Sequence, residues 1–166
     1  TLSANLFTLA AMRANLEQVM TRDAYALTTP RAARLADALR ALFARHRLPW
    51  CVTQIGARCE FQFCPTPPRT GAEAEAAMDH ALERLIHLSL LNQGVLITPF
   101  HNMMLVSPVT TAEQVERLVL HLDEAFTLLL AAMGLALFPL GLGLAQRRVA
   151  LGALVHQQRA HVAVKG

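Results

Sequence analysis

Arg58-Cys59-Glu60-Phe61-Gln62-Phe63 alternates polar and apolar side chains without a break. Successive side chains of a strand point to opposite faces, so this period of two predicts a strand whose wet face carries Arg58, Glu60 and Gln62. Its dry face would carry Cys59, Phe61 and Phe63. A preceding strand over Cys51 to Ile55 is separated from it by Gly56 and Ala57, which predicts a bend or bulge between the two. Downstream, Pro65, Pro67 and Pro68 fit neither a central strand nor a helix interior and mark a surface connection.

Outward from this centre the period turns helical. Toward the N-terminus, Thr29-Pro30 is a helix start, since proline at the first helical position forfeits no hydrogen bond, and Leu35, Leu39, Leu42 and Phe43 continue at helical spacing until Pro49. Before it, Ser3 can cap a helix reaching about Thr21, with Leu6, Leu9, Ala10, Leu16, Val19 and Met20 forming a broad apolar face. Toward the C-terminus, Met78, Leu82, Leu85, Ile86 and Leu90 predict one helix over Ala72 to Asn92, with Asn92 and Gly94 as its stop. Two short strands are expected next, Val95 to Thr98 and Met103 to Ser107. A capping box, Thr110 with Glu113 or Thr111 with Gln114, then opens a helix striped by Val115, Leu118, Val119, Leu122, Ala125, Phe126 and Leu129. The order of elements predicts an α+β domain, helices packed on a small and mainly antiparallel sheet.

At 166 residues the chain is sized for one compact core. With 54% apolar and 16% charged residues, general disorder is excluded. The net charge of +3 does not point to nucleic acid, because the fourteen arginines are scattered, only Arg147 and Arg148 being adjacent, and aromatics for base stacking make up 5%. Three cysteines, Cys51, Cys59 and Cys64, form no CxxC pair; an odd number argues against a disulfide framework and for a reducing cytoplasm. Thr1, which is not an initiator methionine, is read as a cut rather than a start. Residues 125–145 carry no charge and are long enough to span a bilayer, but Gly134, Pro139, Gly141 and Gly143 interrupt them, so a membrane is not the expected partner.

The chemistry-bearing side chains form no motif of their own. His80 and His87 could share a helical face, yet no third ligand completes a metal site at recognisable spacing, and surface or interface roles are expected. Cys59 and the Phe61/Phe63 row are expected in the core, and no glycine pattern matches a phosphate loop. The single lysine is Lys165. Any reaction that needs a buried amine must take it from elsewhere.

The opening Thr1-Leu2-Ser3-Ala4-Asn5 resembles the Gly-Thr-Leu-Ser-Gly-Asn segment of glutamate-1-semialdehyde aminomutases and related class III aminotransferases. Ile55-Gly56-Ala57-Arg58, Leu91-Asn92-Gln93-Gly94-Val95 and Leu96-Ile97-Thr98-Pro99-Phe100-His101-Asn102 are similar to the same family in the same order, and the likeness extends over residues 1–127. It implies the C-terminal small domain of a fold type I enzyme. In that family pyridoxal phosphate sits on a Schiff-base lysine of a large domain, in a homodimer. The resemblance further places Thr1 at the cofactor phosphate across the dimer, where a hydroxyl and a backbone N–H can both donate to the anion.

Departures from the family pattern are Ala4 for a glycine, Leu6 for a proline, and Ile55 where many ω-aminotransferases carry an arginine for the substrate carboxylate. Arg58 is the candidate substitute. Residues 128–166 match nothing in the family and form an atypical apolar and basic tail, the expected mark of a frame shift or a fused fragment. The expected function is that of a fragment of a transaminase or aminomutase acting on amino acids or amino-aldehydes, without a catalytic residue of its own and inactive alone. The alternative is a non-enzymatic α+β interaction module, anchored to a membrane through its tail.

Overall fold

The computed structural model of the chain describes residues 5–99 and 101–132. Five helices and three strands follow in the order α1 (Leu6–Gln18), α2 (Arg22–Arg45), β1 (Cys51–Ile55), β2 (Arg58–Gln62), α3 (Gly71–Ala76), α4 (His80–Asn92), β3 (Met103–Leu105) and α5 (Ala112–Ala132). The strands form one antiparallel sheet with β2 in the centre, so the class expected from the sequence, helices on a small antiparallel sheet, is the one observed.

The alternating stretch sits where its period places it. Cys59 and Phe61 are fully buried against α2, while Arg58 is exposed. β1 and β2 are joined by Gly56 and Ala57 between the paired Ile55 and Arg58, a two-residue hairpin turn rather than a bulge. Gly56 has φ +55°, the positive value that the first position of such a turn requires and that a Cβ would strain.

Several expected boundaries moved. α1 takes Asn5 as its cap, whose Oδ1 accepts from Thr8 N at 2.8 Å; Ser3 lies outside the described residues. α2 begins not at Pro30 but at Arg22, because Thr21 Oγ1 accepts from Ala24 N at 3.2 Å and supplies an earlier cap. Pro30 is therefore interior to the helix, and burial of Thr28, Ala32 and Leu35 on either side holds the helix through it. Its end is also earlier than Pro49. Arg47 turns left-handed at φ 53°, its N–H reaching Ala44 O and that of Leu48 reaching Phe43 O at 2.9 Å. This Schellman closure is normally made on glycine, as it is here at the end of α4, where Gly94 has φ +75° and Val95 N bonds Leu90 O.

The single helix expected over residues 72–92 is two. Asp79 Oδ1 accepts from both Ala81 N and Leu82 N at 3.1 Å, capping α4 and ending the helical run of α3. The strand expected over Val95–Thr98 does not form. Thr98 Oγ1 accepts from Met103 N at 3.1 Å and donates to Met103 O at 3.0 Å, so one hydroxyl satisfies the backbone groups a neighbouring strand would have used. At α5 the second of the two capping boxes is the real one. Thr111 Oγ1 accepts from Gln114 N at 3.2 Å, and Gln114 Oε1 from Thr111 N at 2.9 Å. α5 continues through residue 127 to Ala132, with Leu129 in the core; the tail from residue 133 lies outside the described residues.

The core lies between the sheet and the α2, α4 and α5 helices. Phe43 of α2 meets Trp50 and Phe61 edge-on at 5.4 and 5.3 Å between ring centroids and Phe126 of α5 at 6.0 Å. Such offset and edge contacts suit the ring quadrupoles and add to the area buried. Phe61→Ala should therefore cost about 3–5 kcal/mol of unfolding free energy in urea, and Thr111→Ala about 1 kcal/mol. Arg47→Gly should instead raise stability by about 0.5–1 kcal/mol, by removing a side chain from a left-handed position.

Candidate functional site

The outer face of the sheet, away from the core, carries the polar side of β2. Arg58 lies between its cross-strand partners Ile55 and Leu105, both largely exposed, so the guanidinium stands in an apolar and otherwise open patch. It is half-exposed, and Nη2 donates to Glu60 Oε2 at 2.6 Å. Glu60, two residues along on the same face, is better covered and neutralises the arginine. A guanidinium has five donors, so an incoming carboxylate could still be met by those that Glu60 does not use. Ile55, at the tip of β1, has no charge to offer.

Beside this patch the segment from Gly94 to Pro99, with β3 and the start of α5, lines an open groove of about 670 Å³. Leu35, Ile97, Met104 and Leu118 make its floor apolar, with Thr110 and Arg117 at the polar margin. Arg117 spans the margin: Nη2 donates to Gln93 O at 3.1 Å and Nε to His121 Nε2 at 3.3 Å. A volume of this size fits a small molecule or the side chains of a packed neighbour.

Two further groups were not legible in the sequence. Asp123 of α5 holds Arg45 at 2.8 Å and also His46, pinning the end of α2 to α5. Glu83 is buried at the start of α4 with His80 Nδ1 at 3.0 Å. Of the two histidines singled out by spacing, His80 is exposed and His87 half-buried with Nδ1 unpartnered. Among the described residues no group of three His, Cys, Asp or Glu side chains could hold a metal ion.

Thr1 lies outside the described residues, as does Lys165. Among the described residues there is no lysine, and hence no amine to which an aldehyde cofactor could be tethered. The described side chains do not by themselves fit such a group. α1 shows a different kind of incompleteness: it buries no residue, Leu6 and Phe7 are each 85% exposed, and Leu9, Met12, Leu16 and Val19 are also exposed. A helix that exposes so many large apolar side chains is ordinarily covered by other structure.

Comparison with solved structures defines the class. A glutamate-1-semialdehyde-aminomutase from Pseudomonas aeruginosa PAO1, one structure of which is in complex with PMP, superposes with a TM-score of 0.72 and 48% sequence identity over 75% of this chain. A β-phenylalanine aminotransferase from Variovorax paradoxus gives 0.66 and 27% over 82%, and covers its match with 30% of that chain's length. An ω-transaminase from Sphaerobacter thermophilus, at TM-score 0.58 and 20% identity over 72% of this chain and 26% of its own, shares the fold. No protein-family model matches the chain. The fold is thus that of a small domain of the fold type I pyridoxal-phosphate enzymes. Within that class the chain resembles a part of the class III aminotransferases, and glutamate-1-semialdehyde aminomutase in particular. It spans 27% of the length of the aminomutase it matches.

Cys51, at the first position of β1, is a second unusual group of this sheet. Burial, then the neighbouring Cys64, raise its thiol from the ordinary 9.0 to about 11. The folded chain thus keeps this proton where the unfolded chain has lost it. The contribution to stability is complete below about pH 9 and is lost as pH rises from there to about 11. Urea midpoints measured across this window should fall, and fall less in Cys51→Ser.

Proposed function

We propose that this chain supplies the C-terminal small domain of a pyridoxal-phosphate-dependent aminotransferase or aminomutase acting on amino acids or amino-aldehydes, and is inactive alone. The observation that carries the proposal is the 48% identity, with a shared fold, to part of the Pseudomonas aeruginosa aminomutase. Bound pyridoxal phosphate supplies an electron sink for the carbon beside the substrate amine, and an enzyme of this type holds it through a lysine. The only lysine of this chain is Lys165, in the stretch that resembles nothing in the family. The partner is accordingly a large domain that carries the lysine, in a homodimer and in a reducing compartment such as the cytoplasm. The exposed apolar side chains of α1 support such a partner, because they are suited to burial against a larger body.

In the assembled enzyme Thr1 would donate to the cofactor phosphate of the second subunit, and Arg58 would receive the substrate carboxylate. Support for Arg58 is its exposure at the tip of the hairpin, directly across from Ile55, which occupies the position of the family arginine. Glu60 competes for the same guanidinium, so this chain would bind a carboxylate less tightly than a free arginine would.

Incubated with pyridoxal phosphate and an amine donor, the purified chain should show no turnover, and borohydride reduction should leave no pyridoxyl group at Lys165. Residues 1–132 grafted in place of the matching part of the Pseudomonas aeruginosa aminomutase should give a folded, cofactor-loaded enzyme within about tenfold of the parent kcat/KM, a barrier change of ~1.4 kcal/mol. A chimera that folds and loads cofactor but has lost activity beyond that would refute the assignment. In the active chimera Arg58→Ala should raise KM about tenfold and leave kcat unchanged, the effect of removing one charge-assisted hydrogen bond from ground and transition state alike.

A further inference from the structure

Cys51 and Cys64 lie on one side of the β1–β2 hairpin. Cys51 is paired with Gln62, the last residue of β2, and Cys64 follows two residues beyond it in a bend that brings the two thiols together. Their sulfurs are 3.8 Å apart. Cys51 is buried and fixed at the first position of β1. Cys64 lies beyond the end of β2, is part-exposed, and is followed by the connection containing Pro65, Pro67 and Pro68. One thiol is thus held in place, and the other is accessible and outside the hydrogen-bonded ladder. A disulfide needs about 2.0 Å between sulfurs, a closure of about 1.8 Å, and Cys64, beyond the end of β2, is the side that would move, giving up the contact of its thiol with Thr66 O at 3.2 Å.

We propose that Cys51 and Cys64 form a reversible dithiol–disulfide pair that reacts with small disulfides such as oxidised glutathione, with Cys64 attacking and Cys51 resolving. The Cys64 thiolate, its proton lost to solvent, attacks one sulfur of oxidised glutathione and expels one glutathione thiolate, leaving a mixed disulfide at Cys64. Cys51 then loses its proton to solvent and attacks Cys64 Sγ, and the second glutathione leaves as thiolate. Two protein thiols are oxidised, one glutathione disulfide is reduced to two glutathione thiols, and no other reactant is needed. Burial of Cys51 makes the second step slow near neutrality and faster in base.

Cys59 provides an internal control. It is fully buried, with its S–H donating to Ala32 O at 3.1 Å on the core face of the sheet, away from the other two. The bridge would fasten the start of β1 to the head of the proline-rich connection that leads to α3. This inference does not depend on the enzymatic proposal, since it uses only groups within the hairpin.

The test is to treat the full chain with oxidised glutathione under native conditions and follow intact mass and non-reducing peptide maps over time and pH. The expected product has lost two hydrogens, carries no glutathione, links Cys51 to Cys64 within one chain, and returns to the dithiol with a reductant. Cys51→Ser should stop at a glutathione adduct on Cys64, and the rate of resolution in the unsubstituted chain should rise with pH. A chain that does not react, that keeps glutathione on Cys64, or that forms its bridge through Cys59 or between two chains would overturn the proposal.

Discussion

Phe43 is the point at which the packing of α2, the β-hairpin and α5 becomes one structure. Its ring is flanked by Trp50, Phe61 and Phe126, which come from the connection before β1, the central strand and the last described helix. Trp50 in turn meets Phe126 edge-on at 5.3 Å and Phe63 at 4.8 Å. These rings are few, and each is far in sequence from most of its neighbours. The hydrophobic contribution of the cluster is therefore available only when the whole domain is assembled, which makes the fold cooperative.

That assembly has a sidedness that bears on function. Once β2 turns Cys59 and Phe61 toward α2, Arg58 and Glu60 must face outward, and the hairpin turn at Gly56 carries Ile55 and Arg58 to an exposed edge. Among the described residues, the groove lined by residues 94–99 and the apolar side chains of α1 are further surface without a covering layer. A domain that builds a complete core on one side and leaves apolar groups bare elsewhere suits a larger assembly. The 27% coverage of the aminomutase chain agrees with that view.

Local competition for hydrogen bonds decided the details. Thr98 offers its hydroxyl to both backbone groups of Met103 and so replaces a strand. Asp79 draws two N–H groups and divides a helix. At Thr111 and Gln114 the two side chains satisfy each other's backbone N–H, whereas the equally plausible Thr110 instead receives Ser107 N at 3.0 Å. In each case a polar side chain had more than one possible use, and the partner that settled the choice lies within five residues along the chain.

The period of residues 58–63, the helical stripes around Leu39, Leu85 and Leu122, and the shortage of lysine are properties of residue order and composition. They determined the α+β class, the buried face of β2 and the need for an amine from elsewhere. The meeting of Cys51 with Cys64, the clamp of Asp123 on the end of α2, and the exposure of α1 belong to tertiary structure alone. The physical reason is that periodicity reports only which way a side chain points. Which partner it meets depends on register, turn geometry and the packing of segments distant along the chain.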